Sequence, residues 1–133
     1  GGYATLLAMS QGADVFKIGL AGAPVGDWRL YDTGYTERYM GLLERDAEAY
    51  DKGAIPRFAA GFPDEPDRLF IAHGTTDENV HLTNSTVVID ALVKHNKPYS
   101  LLLYAGERHG LRQNPQSRVH YDTSLVQTVL THL

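Results

Sequence analysis

Residues 68–81 read Arg68-Leu69-Phe70-Ile71-Ala72-His73-Gly74-Thr75-Thr76-Asp77-Glu78-Asn79-Val80-His81. The apolar run Leu69 to Ala72 is too short for a helix and stops at a glycine followed by polar turn formers. It is read as a strand that delivers a loop, and the loop carries Asp, Glu, Asn and His side chains. Downstream, Val88, Ala91, Leu92 and His95 fall at i, i+3, i+4 and i+7, which predicts an amphipathic helix over 82–95 with Thr83 or Ser85 as its cap. Residues 99–104 (YSLLLY) predict another strand, 105–117 a polar loop, and 117–132 a closing helix with Val126, Val129, Leu130 and Leu133 on one face. Upstream, residues 3–10 predict a helix stopped by Gly12, and residues 15–21 (VFKIGLA) a strand ending at Gly22-Ala23-Pro24. Between them and Arg68 lies a stretch of aromatic and charged residues, 25–63, in which short helices are expected at 35–43, 44–51 and 54–60, before a loop marked by Pro63 and Pro66.

Strands alternating with helices imply an α/β fold with parallel strands joined by crossovers. All three strands are continuous apolar runs, as expected of strands covered on both faces. There are no repeats, low-complexity tracts or linkers, so residues 1–133 read as one unit.

Composition narrows the function classes. The chain has 12 Lys+Arg against 16 Asp+Glu, a net charge of −4, which argues against a nucleic-acid groove. No segment approaches the ~20 apolar residues of a membrane span. With no Cys, disulfides, thiolate catalysis and Cys-ligated zinc are excluded. The start, Gly-Gly-Tyr without Met or a charged n-region, is no signal peptide and is read either as the product of a removed leader or as a piece cut from something longer.

In open α/β sheets ligands sit beyond the carboxyl ends of the strands. The loops after the second and third strands leave that edge, so Asp77 and His109 are candidates to meet. An Asp accepting from His Nδ1–H fixes the imidazole tautomer and leaves Nε2 as a general base. Plainer readings stand beside this one. Both residues suit an exposed loop, Glu78 competes with Asp77 as the acid, and His73 suits a hydrogen-bonded strand end. Glu37 and Arg38 suit a surface ion pair, and the tyrosines suit a cover over the sheet. A metal set of His73, Asp77 and His81 is a further alternative, weakened because Gly74 breaks the helix its spacing would need.

Gly1-Gly2-Tyr3 before a helix has the form of the tail of a nucleophile elbow. Together with Ala23-Pro24-Val25-Gly26-Asp27-Trp28-Arg29-Leu30-Tyr31-Asp32-Thr33-Gly34-Tyr35-Thr36-Glu37-Arg38-Tyr39-Met40-Gly41, the stretch His73 to His81, and Glu107-Arg108-His109-Gly110, it resembles the dipeptidyl peptidase IV branch of the prolyl oligopeptidase family along the whole chain. The resemblance implies an α/β-hydrolase fold, with residues 1–133 as the C-terminal portion of the catalytic domain: about three parallel strands with flanking helices, incomplete. The family's elbow reads G-W-S-Y-G-G-Y, so the nucleophilic serine is expected two positions before Gly1.

By that resemblance Asp77 and His109 match the triad acid and base. Val25, Trp28, Tyr31, Tyr35 and Val80 match the wall of a proline pocket, and Asn79 matches a side chain that contacts the substrate backbone. The implied function is a serine peptidase that releases N-terminal dipeptides with proline at the penultimate position, acting on peptide substrates, with no cofactor and no metal. The intact protein is expected to be a homodimer, and this fragment inactive alone. The lack of Cys fits a cytoplasmic or bacterial periplasmic relative better than a disulfide-rich extracellular one. A non-catalytic pseudoenzyme or binding module, and a related acyl-peptide or ester hydrolase, remain the alternatives.

Overall fold

The computed structural model describes all of residues 1–133. Helix α1 (Gly2–Gln11) ends at Gly12, whose N–H bonds the carbonyl of Ala8 at 2.7 Å. Strand β1 is Gly19–Gly22, four residues later than the predicted start. The reason lies in the turn before it. The N–H groups of Val15 and Phe16 both bond the carbonyl of Gly12. The Arg68 guanidinium takes the carbonyls of Ala13, Phe16 and Lys17. Those backbone groups are unavailable to a sheet, and Val15 and Phe16 are exposed.

The aromatic stretch forms a short 3-10 helix (Trp28–Leu30), α2 (Thr33–Met40), α3 (Leu43–Gly53) and a second 3-10 segment (Ile55–Gly61). Helix α2 begins earlier than predicted because Asp32 caps it, accepting from the Tyr35 N–H at 2.8 Å. Strand β2 (Leu69–Gly74), helix α4 (Thr83–Lys94), strand β3 (Ser100–Tyr104) and helix α5 (Pro115–His132) complete the chain.

The three strands form one parallel sheet in the order β1-β2-β3. Gly22 pairs with Ala72, and Gly74 with Tyr104, so the carboxyl ends of all three strands reach one edge. Helices α1 and α4 and the second 3-10 segment pack together on one side. Leu6, Met9, Ala21, Ile55, Phe62, Leu69, Ile71, Val88 and Leu92 form the core there. Full burial of each large side chain contributes about 1.5–3 kcal/mol. Ala72, Tyr104 and Leu111, with Leu102 and Tyr121, form a smaller cluster toward α5.

Four local expectations need correction. Helix α5 turns Tyr121, Ser124, Leu125 and Thr128 toward the sheet, while Val126, Val129, Leu130 and Leu133 face solvent. Its inward stripe is set by Tyr121, whose ring meets Tyr104 at 6.1 Å. Strand β3 is only half-buried, with Leu103 exposed, because it is an edge strand covered in part by α5. Neither Thr83 nor Ser85 caps α4, whose start carries no side-chain cap; Ser85 bonds His73 instead. His95 closes α4 from an exposed position, its ring bonding the Ala91 carbonyl, rather than joining the buried face.

Candidate active site

The loop after β2 is a turn organised by one carboxylate. Asp77 is buried, and its Oδ1 accepts the N–H groups of Asn79 and Val80, both at 2.9 Å. An Asx side chain that holds its own following backbone in this way fixes the loop and its own rotamer together. Oδ2 is left pointing away from the turn, and the His109 Nδ1–H donates to it at 2.8 Å. Glu78 faces Arg108 at 3.8 Å on the exposed side and makes no bond to His109, so Asp77 is the partner.

The loop after β3 is held by a second buried carboxylate. Glu107 accepts the N–H of Gln113 at 2.9 Å and of Asn114 at 2.7 Å. Burial pushes its pKa up, but bonds from the Gln113 N–H, the Ser117 hydroxyl and the Asn114 N–H outweigh that and hold it below the ordinary carboxyl value. The two loops are also stitched to each other. Thr76 donates its N–H and its hydroxyl to the Glu107 carbonyl, at 3.0 and 3.1 Å. The Gly106 N–H donates to the Thr75 hydroxyl at 2.8 Å. Gly74 allows this approach: a Cβ there would lie 2.7 Å from the carbonyl carbon of Glu107.

His109 is part-exposed and opens onto a pocket of about 260 Å³. Val25, Trp28, Tyr31, Tyr35 and Val80 line it, together with Tyr3 and the backbone at Gly22-Ala23. The aromatic wall is a connected set. Trp28 meets Tyr3 at 5.0 Å, Tyr31 edge-on at 5.9 Å and Tyr35 in a stack at 6.0 Å. Its position follows from local bonds: Asp27 caps the Trp28 turn through the Arg29 N–H, and the Asn84 side chain takes the Gly26 N–H at 3.0 Å. The Tyr31 hydroxyl donates to the Asn79 Oδ1 at 2.8 Å, tying the wall to the Asp77 turn. Burial, with Asp32, Tyr35 and Asp77 nearby, raises the Tyr31 pKa, so the hydroxyl stays a donor at neutral pH.

All eight sequence-predicted residues therefore lie at one edge of the sheet. Asp77 stands behind His109, five residues line the pocket, and Asn79 braces Tyr31 from its rim. The alternative metal set does not assemble: His81 is exposed, and no group of three His, Cys, Asp or Glu side chains is placed to hold a metal ion. Arg38 and Glu37 form no ion pair. Tyr3, Ala23, Asn84 and Glu107 were not anticipated in the site. Tyr3 had a usable signal, an aromatic beside two glycines, whereas the bracing by Asn84 and Glu107 is long-range or loop-internal.

The model of the prolyl oligopeptidase family matches residues 1–129. The chain belongs to the prolyl oligopeptidase family. Within it the likeness is to the dipeptidyl peptidase IV branch. Over 126 residues the chain is 45% identical to dipeptidyl peptidase 8 of Homo sapiens, covering 95% of this chain and 14% of that protein. It is 38% identical over 124 residues to a probable dipeptidyl-aminopeptidase B of Sordaria macrospora, covering 92% of this chain and 13% of that protein. The crystal structure of Porphyromonas gingivalis dipeptidyl peptidase 4 matches with a TM-score of 0.91 at 34% identity, over 99% of this chain and 18% of that one. The parallel sheet and its helices are thus part of an α/β-hydrolase fold. The chain spans under a fifth of the length of each of these prolyl oligopeptidase relatives.

Proposed function

We propose that Asp77 and His109 are the acid and base of a serine peptidase that releases N-terminal dipeptides with proline at the penultimate position. The observation that carries the reading is the 2.8 Å bond from His109 Nδ1–H to Asp77 Oδ2 at the mouth of the aromatic pocket. With Nδ1 donating, Nε2 is the lone-pair nitrogen and faces the reacting groups. It takes the proton of a serine hydroxyl from outside residues 1–133 as the oxygen attacks the carbonyl after proline. It then returns that proton to the leaving amine, and water repeats the cycle on the acyl-enzyme. Asp77 holds the tautomer and stabilises the imidazolium.

The pocket supplies the specificity. Proline is apolar, rigid and without an N–H, so faces of Trp28, Tyr31 and Tyr35 with Val25 and Val80 accept its ring without an unmet hydrogen bond. Asn79, at the rim, is the contact for the substrate backbone. Dipeptidyl peptidases recur among the relatives, which supports the same reaction here.

The test uses the intact protein containing this chain and a dipeptidyl amide with penultimate proline. His109→Ala is expected to lower kcat by about 10³-fold or more while the protein stays folded. Residues 1–133 alone are expected to release no amine. A rate within tenfold of wild type in His109→Ala overturns the proposal.

A further inference from the structure

A second histidine lies behind the proposed acid and takes no part in the proton transfer described above. His73 is the penultimate residue of strand β2, its side chain has no solvent exposure, and its ring is bonded at both nitrogens. Nε2 lies 2.7 Å from the Val80 carbonyl and 3.4 Å from Asp77 Oδ2. Nδ1 lies 2.7 Å from the Ser85 hydroxyl in α4. The carbonyl and the carboxylate can only accept, so Nε2 carries the hydrogen. In the neutral ring Nδ1 then accepts, and the Ser85 O–H donates to it.

We propose that His73 and Ser85 form a positioning pair for the Asp77–His109 couple, a role that rests on the acid–base reading above. The Val80 and Asp77 oxygens set the His73 tautomer, and the Ser85 O–H, donating to Nδ1, orients the ring and polarises its Nε2–H toward them. The His73 N–H then pins the Val80 carbonyl, and the Val80 N–H in turn pins Asp77 Oδ1 at 2.9 Å. The same N–H leaves Asp77 Oδ2 facing two imidazoles, one on each side of the carboxylate: His109 at 2.8 Å and His73 at 3.4 Å. In the opposite tautomer the Nε2 lone pair would face two oxygen atoms in a dry interior, an arrangement that repels. The surroundings hold few other ionisable groups. Asp77 and, through it, His109 face the pair from the two loops. Arg118 and Tyr121 of α5 share a small cavity with His73 and His109. From α4 the facing group is Ser85 itself.

The pair acts through electrostatics as well as geometry. Losing the His73 donor leaves the Asp77 carboxylate more negative toward His109, which favours the imidazolium. The acid limb of the kcat/KM profile, set by protonation of the base, must then move to higher pH. A purely structural role would not move that limb.

The experiment uses the intact protein and a penultimate-proline dipeptidyl amide. Ser85→Ala removes one buried hydroxyl and leaves the fold's apolar packing in place. It is expected to lower kcat about fivefold, the worth of one hydrogen bond, with KM unchanged within about twofold and the acid limb raised. His73→Leu is expected to shift the limb further the same way. His73→Gln, which retains an N–H near the place of Nε2, is expected to fall between wild type and His73→Leu. An acid limb that is unmoved or lowered in Ser85→Ala, while His109→Ala is inactive, overturns this proposal alone. Retained activity in His109→Ala overturns the acid–base reading and the positioning role with it.

Discussion

Asp77→Asn is the sharpest perturbation available, because the structure fixes what each replacement atom must meet. One side of the carboxylate faces two donors, the N–H groups of Asn79 and Val80 at 2.9 Å. The amide oxygen of Asn must take that side, since an NH₂ there would oppose two N–H groups at once. The amide nitrogen is then aimed at His109 Nδ1, 2.8 Å away in the native site. A donor at that distance is tolerated only if Nδ1 becomes the acceptor, which moves the His109 hydrogen to Nε2. In that tautomer His109 cannot take a serine proton. The loss expected for a base held in the wrong tautomer is about 10⁴-fold in kcat, or about 5 kcal/mol of transition-state stabilisation. KM should hold within about threefold, because Asp77 is not in the pocket wall. Stability should fall only modestly: the two backbone bonds persist but lose their charge assistance, about 1–2 kcal/mol in all. The assay is steady-state release of amine from a penultimate-proline dipeptidyl amide by the intact protein, with thermal unfolding run in parallel. A folded variant with kcat within tenfold of wild type would refute the tautomer argument and the acid role of Asp77.

Two further outcomes follow from other contacts. Tyr31→Phe removes the hydroxyl that donates to Asn79 at 2.8 Å; because that bond is exposed, KM for the same substrate should rise only about two- to fivefold, with kcat less affected, and an unchanged KM would show that the brace does not shape the pocket. Glu107 is held below its ordinary carboxyl value, so its contribution to stability is present above that value and disappears as pH falls through the lower, folded one. Hydrogen-exchange protection of the Gln113 and Asn114 amides, taken against the intrinsic rate at each pH, should therefore be high at neutral pH and fall in acid, whereas in Glu107→Gln it should be lower at neutral pH and show no such acid transition; identical protection profiles for the two proteins would contradict the anchoring role.

Much of this was readable from residues 68–81 because strand β2 is central: its apolar run, its terminal glycine and its loop all obey local rules. Where expectation failed, tertiary contacts had taken over groups that local rules assign elsewhere. Val15 and Phe16 suit a strand, but Arg68, more than fifty residues away, captures the carbonyls around them. Ser85 suits a cap, but a buried histidine on the neighbouring strand takes its hydroxyl. Helix α5 has two apolar stripes, and the stripe anchored by Tyr121 on Tyr104 is the one that packs. In the site, the residue types of Asp77, His109 and the aromatic wall were legible. Glu107 was not, because a carboxylate whose task is to collect backbone N–H groups from its own loop resembles any surface acid in a sequence.

The Asp77–His109 distance is, on this view, a property of the two loops rather than of the pair. His109 is part-exposed, and its single bond to Asp77 is too weak to hold a flexible loop against the entropy of ordering it. The order comes from elsewhere: Thr75 and Thr76 bond the β3 loop, Glu107 gathers the backbone leading into α5, and Gly74 lets the two chains touch. Because β2 and β3 are paired from Phe70↔Ser100 to Gly74↔Tyr104, both loops leave the sheet in fixed register. The parallel sheet therefore sets the starting points, backbone bonds between the loops set the span, and the two carboxylates, Asp77 and Glu107, convert loose turns into rigid ones. What the imidazole then needs is a correct tautomer, and Asp77 Oδ2, held in place by the turn it organises, sets that by accepting from Nδ1–H.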